Sequence, residues 1–166
     1  MIITLTDDAY LRVDVGLQVL EWIERDTVKH VWPVSTAKNG LGELRGSEKT
    51  PRGWHRVRAK IGEGQPLNAV FRGRRPTGEI YGSELEAQQP GKDWILTRIL
   101  WLGGLEAGFN RYGAVDTTWR YIYVHGSPDH GVTGKPLSHG CIRMKSEDML
   151  NLFNRVPIGM RILITA

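Results

Sequence analysis

The stretch that decides the reading is HGSPDHGVTGKPLSHGCIRM, His125 to Met144. It holds the only cysteine of the chain, Cys141, three of the five histidines (His125, His130 and His139) and four glycines. Apolar runs suited to buried strands flank it, Tyr121 to Val124 before and Ile142 to Met144 after. A lone cysteine two residues after a histidine can be a nucleophile, a metal ligand or a small buried apolar residue.

Beyond the stretch, Ser146 to Val156 predicts a helix. Ser146 can N-cap it, Glu147 and Asp148 suit the positive end of the helix dipole, and Met149, Leu150, Phe153 and Val156 recur at helical spacing. Pro157 and Gly159 end it, and Arg161 to Thr165 predicts a closing strand. Towards the N-terminus, Leu11, Val13 and Val15 alternate with Arg12 and Asp14, the period of a half-buried strand. Val19 to Ile23 and Val28 to Val34 form a candidate hairpin around Glu24-Arg25-Asp26. Trp54 to Ala59 and Trp94 to Leu102 add further strands, with polar connectors at Ser35 to Pro51 and Gly73 to Gly91. The second connector is long for a compact domain and is a candidate lid. Arg98, inside an apolar run, is either a residue on a strand's polar face or a cation aimed into a site. The expectation is a single domain over residues 1–166, mainly β (β-rich α+β), a sandwich with one clear helix near residues 147–155.

Composition sets further bounds. Hydrophobic content is 40% and charged content 24%, and 22 basic against 18 acidic residues give a net charge of +4. The arginines do not cluster as nucleic-acid binding would want: Arg72, Arg74 and Arg75 sit in a turn-like segment, and Arg52, Arg56, Arg58 and Lys60 alternate on what reads as a solvated strand face. No apolar run approaches the length that crosses a bilayer. The N-terminal residues show no signal peptide, so a cytoplasmic location is expected, or a periplasmic one if the true N-terminus carries a signal. One cysteine excludes an internal disulfide.

A nucleophilic cysteine needs its proton removed, and a nearby imidazolium lowers a thiol pKa from about 8.5 to well below 7. His139 and His125 are both candidate bases, and spacing leaves the choice open. Glycine before the cysteine opens the backbone, so the N–H groups of Gly140 and Cys141 could face a substrate oxyanion. A zinc shell of His125, His130, His139 and Cys141 is disfavoured, because a His-x-Cys pair is a poor chelating knuckle. Papain-like and caspase-like orders do not fit either, since the histidine lies 16 residues upstream of the cysteine.

Ser138-His139-Gly140-Cys141-Ile142-Arg143, preceded by Ile122-Tyr123-Val124-His125-Gly126, resembles the signature of the L,D-transpeptidase catalytic domain, the YkuD-type family. Ser35-Thr36-Ala37-Lys38, Thr50-Pro51-Arg52-Gly53 and the close from Val156 to Ile164 extend the resemblance over nearly the whole chain, with Ala37 departing from the usual glycine. The resemblance implies a β-sandwich and acyl transfer on peptidoglycan stem peptides. Cys141 would attack the carbonyl at the L-centre of a diamino acid, usually diaminopimelate, and D-Ala would leave as a thioester forms. His125 would be the base, and the backbone N–H groups of His139, Gly140 and Cys141 would hold the oxyanion. Arg143, Ser138 and Gly126 would line the substrate site, with Arg98 a further candidate. No metal or organic cofactor, no nucleic acid and no membrane is implied; the partners are tetrapeptides or muropeptides, and a covalent carbapenem adduct is conceivable. Water as acceptor gives an L,D-carboxypeptidase of peptidoglycan recycling. An amine acceptor gives a transpeptidase that makes 3–3 cross-links, attaches proteins or exchanges D-amino acids. Without export the reachable substrates are soluble, so the carboxypeptidase is the expectation, and a non-catalytic binding module is the remote alternative.

Overall fold

The β-branched and aromatic residues that alternate along the first half of the chain form antiparallel strands, as their period requires. The computed structural model describes residues 8–166; residues 1–7, on which the export reading rests, lie outside them. The strands are β1 (Ala9–Asp14), β2 (Val19–Glu24), β3 (Thr27–Pro33), β4 (Gly53–Ile61), β5 (Ala69–Arg72), β6 (Arg75–Ile80), β7 (Leu96–Gly104), β8 (Tyr123–Ser127), β9 (Ile142–Lys145) and β10 (Arg161–Thr165). Helices α1 (Ser83–Gln88) and α2 (Ser146–Arg155) complete the frame. The β2–β3 turn takes positive φ at both Arg25 and Asp26, +46° and +59°, the twist that suits a two-residue hairpin.

All ten strands belong to one curled sheet in the order β3-β2-β1-β10-β4-β7-β5-β6, with β8 also on β7 and β9 on β8. Two pairs are parallel, β1 with β10 and β8 with β9. The β3 end of this path meets the β8–β9 branch: Ser35, just past β3, exchanges both backbone hydrogen bonds with Arg143 of β9 at 2.9 Å each. The curl encloses a core in which α2 lays Met149, Leu152 and Phe153 against Leu100, Leu102, Val124, Ile142 and Met144.

Three local expectations are corrected. Ser146 does not cap α2; Lys145 holds the N-cap position, and the Ser146 hydroxyl is buried within the first turn without a partner. Leu152 replaces the half-buried Leu150 in the buried stripe. The segment from Gly73 to Gly91 is not strand-poor: it carries β6 and α1. Its polarity misled because β6 is exposed along its whole length and so needs no apolar alternation.

Parallel pairing of β8 and β9 needs a crossover of about a dozen residues. The run from Pro128 to Cys141 is that crossover, so the spacing between His125 and Cys141 is a demand of the topology. In this register Val124 and Ile142 point into the core, and Tyr123, His125, Cys141 and Arg143 fall on the opposite face. β7 flanks β8, and its register shifts at Thr97, which sits at φ +72°. Gly126 lies against this bulge: a Cβ there would come within 2.3 Å of the Leu96 carbonyl oxygen. Gly126→Ala is therefore expected to lower stability by about 2 kcal/mol or more, read as a lower midpoint in urea unfolding.

Candidate active site

Cys141 is placed by a backbone clamp. Ser138 N–H donates to the Thr36 carbonyl and Lys38 N–H to the Ser138 carbonyl, both at 2.9 Å. The Thr50 hydroxyl donates to the Gly140 carbonyl at 2.9 Å and accepts the Ala37 N–H at 2.9 Å. Ser138 Oγ donates to the Cys141 carbonyl and accepts the Gly140 N–H at 3.2 Å. The outlying Ser35–Lys38 and Thr50–Gly53 segments thus grip the cysteine loop from outside. Gly140 lies at φ +134°, which only glycine adopts readily, and a Cβ there would meet Ile122 at 3.1 Å.

The thiol's hydrogen bonds run to backbone. Cys141 Sγ accepts the Tyr123 N–H at 3.3 Å and donates to the Tyr121 carbonyl at 3.5 Å. Burial pushes the thiol up to about 12; the Tyr123 N–H opposes this, the Asp93 carboxylate adds to it, and Arg143 and Arg120 oppose it. These influences together favour the protonated thiol over the thiolate.

His125 is buried, and its Nδ1 lies 2.7 Å from the Gly126 carbonyl oxygen. A carbonyl can only accept, so Nδ1 carries the hydrogen and a neutral ring keeps Nε2 bare for a proton. Burial drives the imidazole pKa below its usual value; the Gly126 carbonyl and Asp93 pull the other way, and Arg143 adds to the lowering. Thiol and imidazole, one pushed up and the other down, both favour the uncharged form.

His139 is of another kind. Its side chain is 63% exposed, and Nδ1 stands 3.4 Å from Asp93 Oδ2. Asp93 also receives Arg143 Nη2 at 2.8 Å on its other oxygen. Burial works to raise this carboxyl, yet His125, Arg143 and His139 together hold it below the usual range. Asp93 was invisible in the sequence; its only signal was a single acid just ahead of the apolar run that starts at Trp94.

The remaining expected site residues divide. Arg143, Ser138 and Gly126 gather around the loop. Of the three candidate oxyanion donors, the Gly140 N–H is already committed to Ser138 Oγ, which leaves the N–H groups of His139 and Cys141. Arg98 is a correction: its guanidinium is buried over the Phe153 ring of α2, 5.4 Å from the centroid, and donates to the Gln65 and Thr97 carbonyls. A charge sealed among carbonyls that hold the β7 bulge serves the fold, not the site. His130 pairs with Glu86 of α1, and Glu86 also accepts the Tyr81 hydroxyl. The four zinc candidates thus go to separate partners, and among the described residues no three His, Cys, Asp or Glu side chains converge as ligands.

Two openings meet at His139. One is a groove of about 630 Å³ lined by Arg45, Gly46, Glu48, Trp119 to Ile122 and His139. The other is a cavity of about 280 Å³ whose walls include Glu86, Asp93, Ser127, His130, His139 and Arg143. The candidate lid supplies Glu86 and Gly91 to that cavity.

Known proteins fit this frame. "Putative L,D-transpeptidase YqjB" of Bacillus subtilis (strain 168) is 29% identical over 161 residues, 97% of this chain and 73% of that protein. "Putative L,D-transpeptidase YkuD" of Bacillus licheniformis is 45% identical over 42 residues, 25% of this chain and 26% of that protein. Among solved structures, the L,D-transpeptidase (residues 123-326) from Xylanimonas cellulosilytica DSM 15894 superposes with a TM-score of 0.56 at 20% identity, covering 97% of this chain and 62% of that one. L,D-transpeptidase 3 from Mycobacterium tuberculosis, in complex with a faropenem-derived adduct, gives 0.57 at 16% identity, covering 96% and 60%. The chain thus spans about three fifths of these solved chains, and at such identities they share its fold. The sequence model of the L,D-transpeptidase catalytic domain, YkuD, matches residues 8–164, and the chain belongs to that family.

Proposed function

We propose that the chain catalyses cysteine-dependent acyl transfer at the bond between the L-centre of a diaminopimelate residue and D-Ala in peptidoglycan stem tetrapeptides, with water as the acceptor. The observation that carries the chemistry is the register of β8 and β9, which puts His125 of β8 and Cys141, at the mouth of β9, on one face with Nε2 of His125 bare. Cys141 Sγ attacks the carbonyl carbon while His125 Nε2 takes the thiol proton. The oxyanion forms against the N–H groups of Cys141 and His139, a donor of this kind being worth about 3 kcal/mol. The C–N bond then breaks, His125 returns the proton to the departing amine of D-Ala, and a thioester remains. Water, deprotonated by His125, attacks the thioester and regenerates the thiol, leaving a tripeptide carboxylate. Arg143 and Asp93 flank this path and orient charged ends of the substrate.

Size favours a small acceptor such as water. The cavity of about 280 Å³ beneath α1 falls short of the roughly 300–1,000 Å³ of sites that hold drug-sized ligands. It suits a small acceptor better than a second stem peptide. This goes with a carboxypeptidase that trims recycled muropeptides in the cytoplasm, a location that fractionation of a tagged chain would test. The second reading is a transpeptidase, favoured if the α1 segment swings away from His130. Covalent acylation of Cys141 by carbapenems belongs to the same proposal; a solved relative is described in complex with imipenem.

Incubation with disaccharide tetrapeptide, with and without an amine acceptor, is expected to release D-Ala alone by mass spectrometry. Dimeric or amine-exchanged product would establish transfer instead. Cys141→Ala and His125→Ala are each expected to lose at least about a thousandfold in kcat/KM, as removal of a nucleophile or its base does; full activity in Cys141→Ala would overturn the assignment.

Protonation gives an independent check. The lowered His125 pKa keeps the base neutral to below its usual value of about 6.5. Activity should therefore hold as pH falls through 6.5 and fail only at lower pH, as His125 becomes charged. Because burial pushes the thiol up to about 12, alkylation of Cys141 by iodoacetamide should keep accelerating up to at least about pH 10, without the plateau near neutrality of an ion-paired thiolate. An acid limb at or above 6.5, or an early alkylation plateau, would contradict this protonation state.

A further inference from the structure

The groove that Trp119, Tyr121 and His139 line carries aromatic surface that the acyl transfer leaves unused. Trp119 is 51% exposed and Tyr121 48% exposed, large for aromatic side chains beside a site. Neither ring is loose. Trp101 braces both from behind, edge-on to Trp119 at 6.2 Å and tilted against Tyr121 at 6.1 Å. Arg58 lies over Trp101 and Trp119 at 4.9 and 5.3 Å, and Arg74 lies over Trp101 and Tyr121 at 4.7 and 5.0 Å. Arg74 also donates to the Tyr123 hydroxyl at 2.9 Å. These cations, which read in the sequence as a solvated strand face and a turn, are struts that hold the rings in place.

The groove adjoins the nucleophile through its wall: Tyr121, which lines it, accepts the Cys141 thiol hydrogen on its carbonyl. Its rim carries both signs of charge, Arg45 and Glu48. Arg120 is spent on the Gly42 and Lys49 carbonyls and the Ser47 hydroxyl, so it builds the wall instead of offering a donor. Fixed aromatic faces bordered by a carboxylate and a guanidinium suit a pyranose ring. The ring's C–H face packs on an indole or phenol, and its hydroxyl and acetamido groups find an acceptor and a donor at the edge. The groove's volume, about 630 Å³, is ample for a sugar, within the roughly 300–1,000 Å³ of small-molecule sites. The three peptide residues between a sugar and the scissile carbonyl span about 10 Å when extended.

We infer that Trp119 and Tyr121 form a sugar-stacking subsite, so that the acyl donor is a stem peptide still attached to its N-acetylated amino sugars. The inference rests on the acyl-transfer reading above and names the residues that would hold the sugar of a muropeptide donor. The peptide lies between Cys141 and the platform, and the sugar ring stacks on Trp119.

Two measurements test it. First, kcat/KM for release of D-Ala is compared between disaccharide tetrapeptide and the same tetrapeptide without sugar. The wild type is expected to prefer the sugar-bearing form about tenfold, the size of one aromatic contact. Trp119→Ala should collapse that ratio to near one, and Trp119→Phe, which keeps an aromatic face, should restore most of it. Second, the free disaccharide is titrated into the wild-type protein, with the Trp119 indole N–H resonance assigned by its loss in Trp119→Phe. A saturable shift confined to Trp119 and its neighbours is expected. Equal rates on both substrates with no such shift would overturn the subsite while leaving acyl transfer intact. A shift without turnover of either substrate would keep the subsite and refute the acyl-transfer reading; neither shift nor turnover would refute both. A shift caused equally by a free nucleoside would show a platform for any flat ring and would overturn the assignment to sugar.

Discussion

Parallel pairing of β8 with β9 is the constraint on which the rest depends. A parallel neighbour cannot be reached by a tight turn, so the chain must leave the end of β8, cross, and re-enter beside it. The return point is where Cys141 sits, one residue before β9 begins. A histidine on the first strand and a cysteine at the mouth of the second then share a face without either being carried on a free loop. The crossover itself supplies one wall of the smaller cavity through Pro128, His130 and Leu137. Catalytic geometry and strand connectivity are one feature here.

The enclosure that fixes this geometry also sets its electrostatics. Burial acts on the thiol and on the imidazole in the directions that discharge each of them. A resting ion pair would face the same burial cost twice. The neutral pair leaves charge to develop during attack, where the backbone donors of the cysteine loop meet it. Asp93 stands at the border of this region, tied to Arg143 and His139, and its negative charge reaches both members of the pair. Because Asp93 lies between α1 and β7, the docking of the α1 segment on Trp94 and His130 bears on the potential at the sulfur.

Much of this was legible in the sequence because period and spacing report local geometry. Leu11, Val13 and Val15 announced a half-buried strand, Arg25 and Asp26 a tight turn, and the Ser-His-Gly-Cys run with His-Gly upstream announced the loop and its family. What escaped depends on contacts between distant segments. Arg98 carries the same letters whether it faces the site or α2, and only the bulge at Thr97 decides. Ser146 matches an N-cap in type, but β9 runs on to Lys145 and places it one residue too late. Asp93 and Trp119 have no local pattern; their neighbours, Arg143 and Trp101, lie 50 and 18 residues away in the chain. The exposed β6 offered no apolar alternation by which a strand is recognised.

The position of β10 has a consequence for the order in which the protein comes into being. It is the last strand in the described chain, yet it lies inside the sheet, between β1 and β4, with a parallel neighbour on one side and an antiparallel one on the other. Until it is inserted, β1 to β3 reach β4 and β7 only the long way round, through the Ser35 bridge to β9, and the sheet stays open between β1 and β4. Contacts of such long range form late and slowly. During synthesis on the ribosome, the cysteine loop emerges before the strand that ties β1 to β4. The nascent chain therefore holds every residue of the cysteine loop and its clamp before the sheet beneath them can close.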